Sequence, residues 1–522
     1  MAFRSLCKDV EKQILSYLDE AAYMNFTATC REYRTYHSTH LWQNASTNTR
    51  KMLTKVLDEE KNVLLHGPGG CGKTHALTML HKMAKRAGRR IVMTGTTGVS
   101  STGMPEGMTI HSFSGLGKGT IPYDKLVQEC TLSPTKAMTK YRQWRTIDIL
   151  VIDEISMMGT RLFRLLDYLA KFIREDARPF GGVQVVVSGD FLQLPPIGDQ
   201  FVFTCPAWEH LNLACVPFLS PYRQKADGAF FRMLQRIRMG LQTPHDIEKL
   251  ESRQIDKVPE FITQDVGKKI VPPFMFSRHQ QVNDLNRQRL ETLPVEEKLV
   301  QAEDSFVVYT TRRDPITGEN RSHREEYHGP PIVITPSLRD RIEHRQPALL
   351  PLKHLAQYIL TQNYRTHLKL VNGSVALFNA ERGVLNFANG SDVDIASLRS
   401  TQYYRAAAQS NVYLKRVQFS LRVGYAITIH SAQGMTLDQA VVNAGTSVFA
   451  SAQTYVACSR VRNLKDLYLL DFNVRSLKVH KEARKHVAGL EGINLEEVAK
   501  KPPKKKRKTK ALANTDSTVC LF

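Results

Sequence analysis

Three short strings in this chain carry groups that could act together on a nucleoside triphosphate. Gly67-Pro68-Gly69-Gly70-Cys71-Gly72-Lys73-Thr74 fits the pattern G-x-x-x-x-G-K-[ST], between the apolar run Asn62-Val63-Leu64-Leu65 and the helix-like run Ala76-Leu77-Thr78-Met79-Leu80. Strand, glycine loop and helix in that order let backbone N–H groups wrap phosphates at a helix N-terminus, where the potential is positive. Lys73 would then reach the β- and γ-phosphates, with the Thr74 hydroxyl as a Mg²⁺ ligand. Ile149-Leu150-Val151-Ile152-Asp153-Glu154 brings two carboxylates to the end of a second apolar strand. Asp153 suits the metal shell, and Glu154 suits orienting and deprotonating a water. Val187-Ser188-Gly189-Asp190-Phe191-Leu192-Gln193-Leu194-Pro195-Pro196 ends a third strand in a turn. Gln193 there can hydrogen-bond a γ-phosphate or a water without adding charge. Either of the last two strings alone is equally an ordinary strand end. With the glycine loop they define an ATPase site, which implies ATP and Mg²⁺ as cofactors.

These groups meet only if their strands lie side by side, carboxyl ends together, as a parallel sheet covered by helices provides. Residues 91–94, 149–152 and 183–188 are apolar runs separated by helix-like stretches. A second region of this kind begins near Val216 and resumes over 424–470. Residues 300–350 are rich in charge, Pro and Gly and are expected to hold loops or a hairpin. The expected class is α/β, with one lobe over 47–215 and a second over 216–374 and 423–485. A small β-domain is expected as an insertion at 375–422. Val10, Ile14, Leu15 and Leu18 share one helical face in a small all-α module at 1–46. The segment 486–522 is polar and basic and is expected to be disordered. No internal repeat is evident.

Asp153-Glu154-Ile155-Ser156-Met157, the Gly181-Gly182 pair and the string from Gly189 to Pro196 resemble the Pif-one family of superfamily one helicases. Thr109-Ile110-His111-Ser112-Phe113, after Thr97-Gly98, is similar to the family's DNA-contacting motif. Tyr222-Arg223-Gln224 and Arg238-Met239-Gly240 resemble its arginine-finger motif and the helix that follows. Leu370-Val371-Asn372-Gly373-Ser374, Thr428-Ile429-His430-Ser431-Ala432-Gln433-Gly434 and Tyr455-Val456-Ala457-Cys458-Ser459-Arg460 resemble its later motifs. The resemblance spans roughly residues 48–472 and implies two RecA-like P-loop NTPase lobes, with a β-rich insertion in the second. It implies an ATP-dependent helicase moving 5′→3′ on single-stranded DNA and unwinding duplexes, in replication, repair or recombination, telomere maintenance included. By the same resemblance Arg223 and Arg460 are arginine fingers, and Gln433 and Gly434 contact the nucleotide. Thr97, His111, Ser112, Phe113, His430 and Ser431 are its DNA contacts, although Phe113 could equally be core and a structural role is the other reading of both histidines. The insert 118–146, with Tyr123, Tyr141 and Trp144, sits where the family places its strand-separating wedge. For Trp144 itself, core packing is the simpler role. Two departures stand out. The family's adenine-recognition glutamine precedes the first strand, where this chain has Asn48-Thr49-Arg50-Lys51 and, further back, Gln43. Ala432 stands where Lys or Ser is commoner.

Composition agrees with a polyanionic partner. The 72 Lys and Arg against 50 Asp and Glu give a formal charge of +22, and basic surface binds phosphates by releasing counterions. The eight cysteines form no C-x-x-C pair and read as free thiols. No apolar run approaches the ~20 residues of a membrane span, so a soluble, non-secreted protein without a membrane partner is expected. Leu6-Cys7-Lys8-Asp9-Val10, Ile14 to Asp19, Thr29-Cys30-Arg31 and Leu41-Trp42 resemble an F-box, which implies a Skp-type adaptor of a ubiquitin ligase as partner. A helical cap packed on the motor is the other reading of this segment. Pro502-Pro503-Lys504-Lys505-Lys506-Arg507-Lys508 looks like a nuclear localisation signal, implying an import receptor and a nuclear location. A non-specific DNA tether is compatible with it. Two other functions remain open: an F-box receptor whose motor targets or remodels protein–DNA complexes, and an ATPase that remodels such complexes without unwinding.

Overall fold

Alternation within each apolar run decides how the first sheet is buried. β1 (Val63–His66), β2 (Ile91–Gly95), β3 (Met108–Thr109), β4 (Ile149–Asp153), β5 (Gln184–Gly189) and β6 (Ala214–Pro217) form one sheet in the order β3-β2-β4-β5-β1-β6. Every pairing in it is parallel. Val63, Leu65, Ile149, Val151 and Val186 enter one core with Ala76, Leu77 and Leu80 of the helix Lys73–Arg86. Leu64, Leu150, Ile152, Val185 and Val187 enter another, with Leu162, Leu166 and Leu169 of the helix Thr160–Arg174. Burial on both faces is why these strands read as unbroken apolar runs. Because β4, β5 and β1 are neighbours, the three chemistry-bearing strings leave the sheet side by side.

This computed structural model describes residues 45–495, apart from 98–99, 102, 117–120, 256–268, 314–319, 335–338, 340–341, 344–345, 363, 366–367, 369, 371–372 and 407–411. The F-box-like segment 3–42, Gln43 and the basic run 502–508 lie outside the described residues. A second parallel sheet joins Ala426–Thr428, Phe274–Phe276, Ala440–Asn443 and Leu467–Leu470 in that order. Its core includes Phe230, Met233, Leu234 and Ile237 of the helix Gly228–Arg238. Among the described residues no helix is long and apolar enough to cross a membrane.

Three boundaries differ from expectation. The strand Ala214–Pro217 pairs with β1 and belongs to the first sheet, so that lobe runs past 215. Antiparallel pairing begins at Glu297, well before 375. Glu303–Arg313 pairs with Asn320–Glu326 and with Val412–Phe419, and Gln357–Leu360 pairs with Val375–Asn379 and Leu421–Val423. The segment after 485 is not all tail. Lys481–Glu491 is one helix, and its Ala483, Val487 and Ala488 are buried in a core of the first lobe.

Residues 121–145 of the insert hold the helices Tyr123–Leu132 and Pro134–Lys140 and a 3₁₀ turn at Arg142–Arg145. They lie against the helix Thr160–Arg174 through Leu126, Cys130, Ala137, Tyr141 and Trp144. Trp144 is fully buried, and its ring centroid is 4.9 Å from that of Phe113. Both rings are therefore core, which decides between the two readings of Phe113 in favour of packing. Trp144→Ala should lower the free energy of unfolding in urea by ~3–5 kcal/mol, the usual cost of emptying so large a buried site. A change below about 1 kcal/mol would place the ring outside the core.

Candidate functional site: a nucleotide site between two lobes

The glycine loop is shaped by what packs over it. Gly70 and Gly72 have φ of 80° and 85°, and a Cβ on them would lie 2.7 Å from Arg223 Cβ and 2.9 Å from Tyr222 Cε2. Both conformation and crowding therefore require glycine there. Tyr222 and Arg223 each donate a backbone N–H to Gly70 O, at 2.9 and 3.1 Å. Lys73 Nζ donates to Gly67 O and Pro68 O at 2.5 and 2.9 Å, which holds it across the mouth of the loop. Thr74 Oγ1 donates to Asp153 Oδ2 at 3.3 Å. This hydroxyl and carboxylate are hard oxygen donors of the kind Mg²⁺ takes alongside phosphate oxygens, so the donor set fits the ion. Cys71 is buried, which pushes its thiol up to about 11 and makes it an inert part of the loop.

Opposite charges face each other across this loop. Burial first, and then the Asp153 carboxylate, raise Glu154 above the ordinary carboxylate range. Burial likewise raises Asp153. Glu154 sits at φ 55°, a left-handed conformation rare for a residue with a side chain, and its N–H donates to Asp153 Oδ1 at 2.9 Å. Gln433 of the second lobe donates Nε2–H to Glu154 Oε2 at 3.0 Å. Arg460, 1% exposed, donates to Val456 O at 2.8 Å and Ser459 Oγ at 2.6 Å. Arg223 donates to Thr436 Oγ1 at 2.9 Å, Ser459 O at 3.1 Å and Gly434 O at 3.4 Å. Burial lowers the affinity of both guanidinium groups for their protons, and for Arg223 the neighbouring Arg460 is the second cause. Measured from a Cβ placed on Gly69, Arg460 Nη2, Gln193 Nε2 and Arg223 Nη1 lie at 3.0, 3.2 and 3.6 Å. Glycine loop, amide and both arginines thus meet at one point.

Residues 43–210 match the family model described as PIF1-like helicase. The chain is 31% identical over 439 residues to an ATP-dependent DNA helicase PIF1 of Homo sapiens, covering 80% of this chain and 59% of that protein. It is 29% identical over 459 residues to the protein of that name from Danio rerio, covering 84% and 63%. The chain thus spans about three fifths of the length of these curated relatives. Among solved structures, the Pif1 helicase of Candida albicans is similar with a TM-score of 0.67 at 23% identity, over 85% of this chain and 99% of that one. The Bacteroides sp Pif1 in complex with ADP-AlF4 is similar with a TM-score of 0.61 at 21% identity, over 86% and 97%.

These findings support the PIF1-like helicase family for this chain.

This chain repeats one turn in both lobes. Thr109-Ile110-His111-Ser112 and Thr428-Ile429-His430-Ser431 each begin at the end of a parallel strand. In each, the threonine Oγ1 accepts the serine N–H, at 3.2 and 3.1 Å, and the two hydroxyls lie 2.9 and 2.7 Å apart. Ile110 and Ile429 anchor the turns in the cores, which leaves His111 and His430 half-buried on the surface side. Burial, with His279 as the second cause, lowers the pKa of His430, so its ring is neutral at physiological pH. Thr109 and Ser112 line a cleft of about 290 Å³ whose other wall carries Gln346, Thr361, Gln362 and Gln402 of the β-rich region. Thr97 instead caps its own turn by accepting Ser100 N–H at 3.1 Å. The sequence reading missed Thr109 and Thr428 as the residues that build these turns. Their signal was the repeated Thr-Ile-His-Ser string.

Gln433 and Glu154 generate a pH prediction. An N–H donated to a carboxylate favours its charged form, so removing the amide raises Glu154 further. The turnover of a reaction that needs ionised Glu154 should rise with pH through a limb above the ordinary carboxylate range. Gln433→Ala should shift that limb to higher pH, read from kcat for ATP hydrolysis at a series of pH values. A limb that stays in place would detach Gln433 from Glu154.

Proposed function

We propose that this chain is an ATP-dependent DNA helicase that translocates 5′→3′ on single-stranded DNA and separates duplexes, in replication, repair or recombination. The observation that carries the reading is the convergence of Gln193, Arg223 and Arg460 on Gly69, which makes hydrolysis depend on how two lobes meet. Lys73 and the loop N–H groups hold the β- and γ-phosphates, while Thr74 and Asp153 would hold Mg²⁺, which neutralises phosphate charge when bound. Glu154 accepts a proton from water as its oxygen bonds to the γ-phosphorus. The bond from that phosphorus to the β–γ bridging oxygen breaks, and ADP leaves. Arg223, Arg460 and Gln193 stabilise the charge that develops on the transferred group. The histidine turns on the two lobes would hold the DNA track by its phosphates, and a change in interlobe distance would move one turn relative to the other. The relatives' name supports the activity, and Bacteroides Pif1 has been solved bound to ssDNA. The insert 118–146, with Leu132 exposed at the end of its first helix, is the proposed strand-separating wedge.

The sequence also supports two accessory roles for segments outside the described residues. Residues 3–42 recruit a Skp-type adaptor, and residues 502–508 direct nuclear import. Deletion of residues 1–42 should abolish adaptor pull-down and leave ATP hydrolysis intact. A destabilised, inactive deletion would mark the segment as a structural cap instead.

The motor itself is tested with forked and tailed duplexes. Wild-type protein should displace a strand only from substrates with a 5′ single-stranded tail, and less so as salt rises, because phosphates carry the track. Lys73→Ala should lower DNA-stimulated hydrolysis by roughly 100-fold or more, the scale for losing a principal donor to transferring charge. Preference for 3′ tails would contradict the polarity. Hydrolysis without displacement on any substrate would favour the remodelling ATPase.

A further inference from the structure

Behind the glycine loop lies a buried cluster of four ionisable groups that the nucleotide site does not itself contain. Arg238 is 1% exposed and spends its guanidinium on two carboxylates. Nε and Nη2 donate to Asp190 at 2.9 and 2.8 Å, and Nη1 donates to Glu491 Oε1 at 2.8 Å. Glu491 Oε1 is also 2.8 Å from His66 Nε2. His66 immediately precedes the glycine loop, and Glu491 is the last residue of the helix Lys481–Glu491. Burial opposes the ionisation of Asp190, but the Arg238 guanidinium outweighs it and holds the carboxyl at about 2.

Asp190 in turn sets the aim of Gln193. Its carboxylate accepts Leu192 N–H at 3.1 Å and Gln193 Nε2–H at 3.4 Å, and its carbonyl accepts Gln193 N–H at 2.9 Å. Rotating the carboxylate would therefore carry the amide with it. What prevents rotation is Arg238, and what fixes Arg238 on its far side is Glu491. The surroundings place this chain of contacts at the junction of the lobes. Ile237 is buried in the core of the second lobe, while Met239 is buried in a core of the first. The helix ending at Glu491 returns to the first lobe after the last strand of the second, with Val487 and Ala488 buried there.

We infer that Glu491 is a positioning residue for the γ-phosphate site, acting through Arg238 and Asp190 on Gln193. The inference rests on the ATPase reading above. Losing the Glu491 carboxylate leaves one face of a buried guanidinium without its acceptor, and such a group moves to recover a partner. Whether it turns toward His66 Nε2, 3.4 Å from Nη2, or elsewhere, Arg238 loosens its fork on Asp190, which frees the Gln193 turn. Glu491 reaches the site only through Arg238, so the effect falls on turnover rather than on ATP affinity.

The test is steady-state, DNA-stimulated ATP hydrolysis by the full chain, with melting temperature recorded for each variant. Glu491→Ala should lower kcat roughly 10-fold while KM for ATP moves less than roughly 2-fold. Glu491→Gln keeps an acceptor for Arg238 and should fall between it and wild type. Glu482→Gln, on the exposed side of the same helix, should match wild type. Combining Glu491→Ala with Gln193→Ala should cost no more than Gln193→Ala alone, because one acts through the other. Unchanged kcat in Glu491→Ala, or losses that multiply in the double variant, would overturn the inference while leaving the ATPase reading intact. Absence of hydrolysis in wild type would overturn the ATPase reading, and this inference with it.

Discussion

Two guanidinium groups held close to the backbone of the glycine loop are the contact on which the rest of this structure depends. Arg460 and Arg223 approach Gly69 so closely that a methyl group there would touch both, together with Gln193. Burial shifts both guanidinium groups toward the neutral form, and for Arg223 the like charge of Arg460 adds to it. Across the loop, burial pushes Asp153 and Glu154 the other way. Each set is thus arranged to gain from an opposing charge, phosphate oxygens for the arginines and a divalent cation for the carboxylates. Neither lobe carries both sets, so chemistry is tied to the interlobe distance. Under the proposed function, that is the physical basis on which ATP would be coupled to movement.

The same constraint explains the duplicated turn. If lobe separation is what nucleotide state changes, then each lobe needs its own hold on the track. Thr109 to Ser112 and Thr428 to Ser431 supply equivalent turns, each at the end of a strand whose side chains anchor it in a core. The string is short enough to escape a search for repeats of domain size. Its meaning appears only when both copies are seen at strand ends.

Local strings were the legible part of this chain. The glycine loop, the Asp153-Glu154 strand end and the Gln193 turn each announce themselves within a few residues, and β1, β2, β4 and β5 fell close to the expected positions. What escaped was set by contacts distant in sequence. Ala214–Pro217 belongs to the first lobe because it finds the free edge of β1, which no feature of its own composition shows. The antiparallel region is built from pairings such as Glu303–Arg313 with Val412–Phe419, about a hundred residues apart. Phe113 reads equally as a stacking platform or as core, and the choice is made by distant partners such as Trp144. Residues from 486 looked like tail because the buried side of the helix Lys481–Glu491, Ala483, Val487 and Ala488, is small among many charges. Arg238 and Glu491 are 253 residues apart, and neither sits in a pattern that names the other.

If the arginines act on the transferring phosphoryl group from across the cleft, the test is to separate what Arg460 does for binding from what it does for turnover. Single-turnover hydrolysis and equilibrium ATP binding would be measured for wild type and Arg460→Ala with saturating single-stranded DNA. The account predicts a fall in the hydrolysis rate of roughly 1,000-fold, the lower end of the range for a finger, with ATP affinity changed far less. Equal losses in the two measurements would make Arg460 an ordinary phosphate contact and contradict a site completed by the meeting of two lobes.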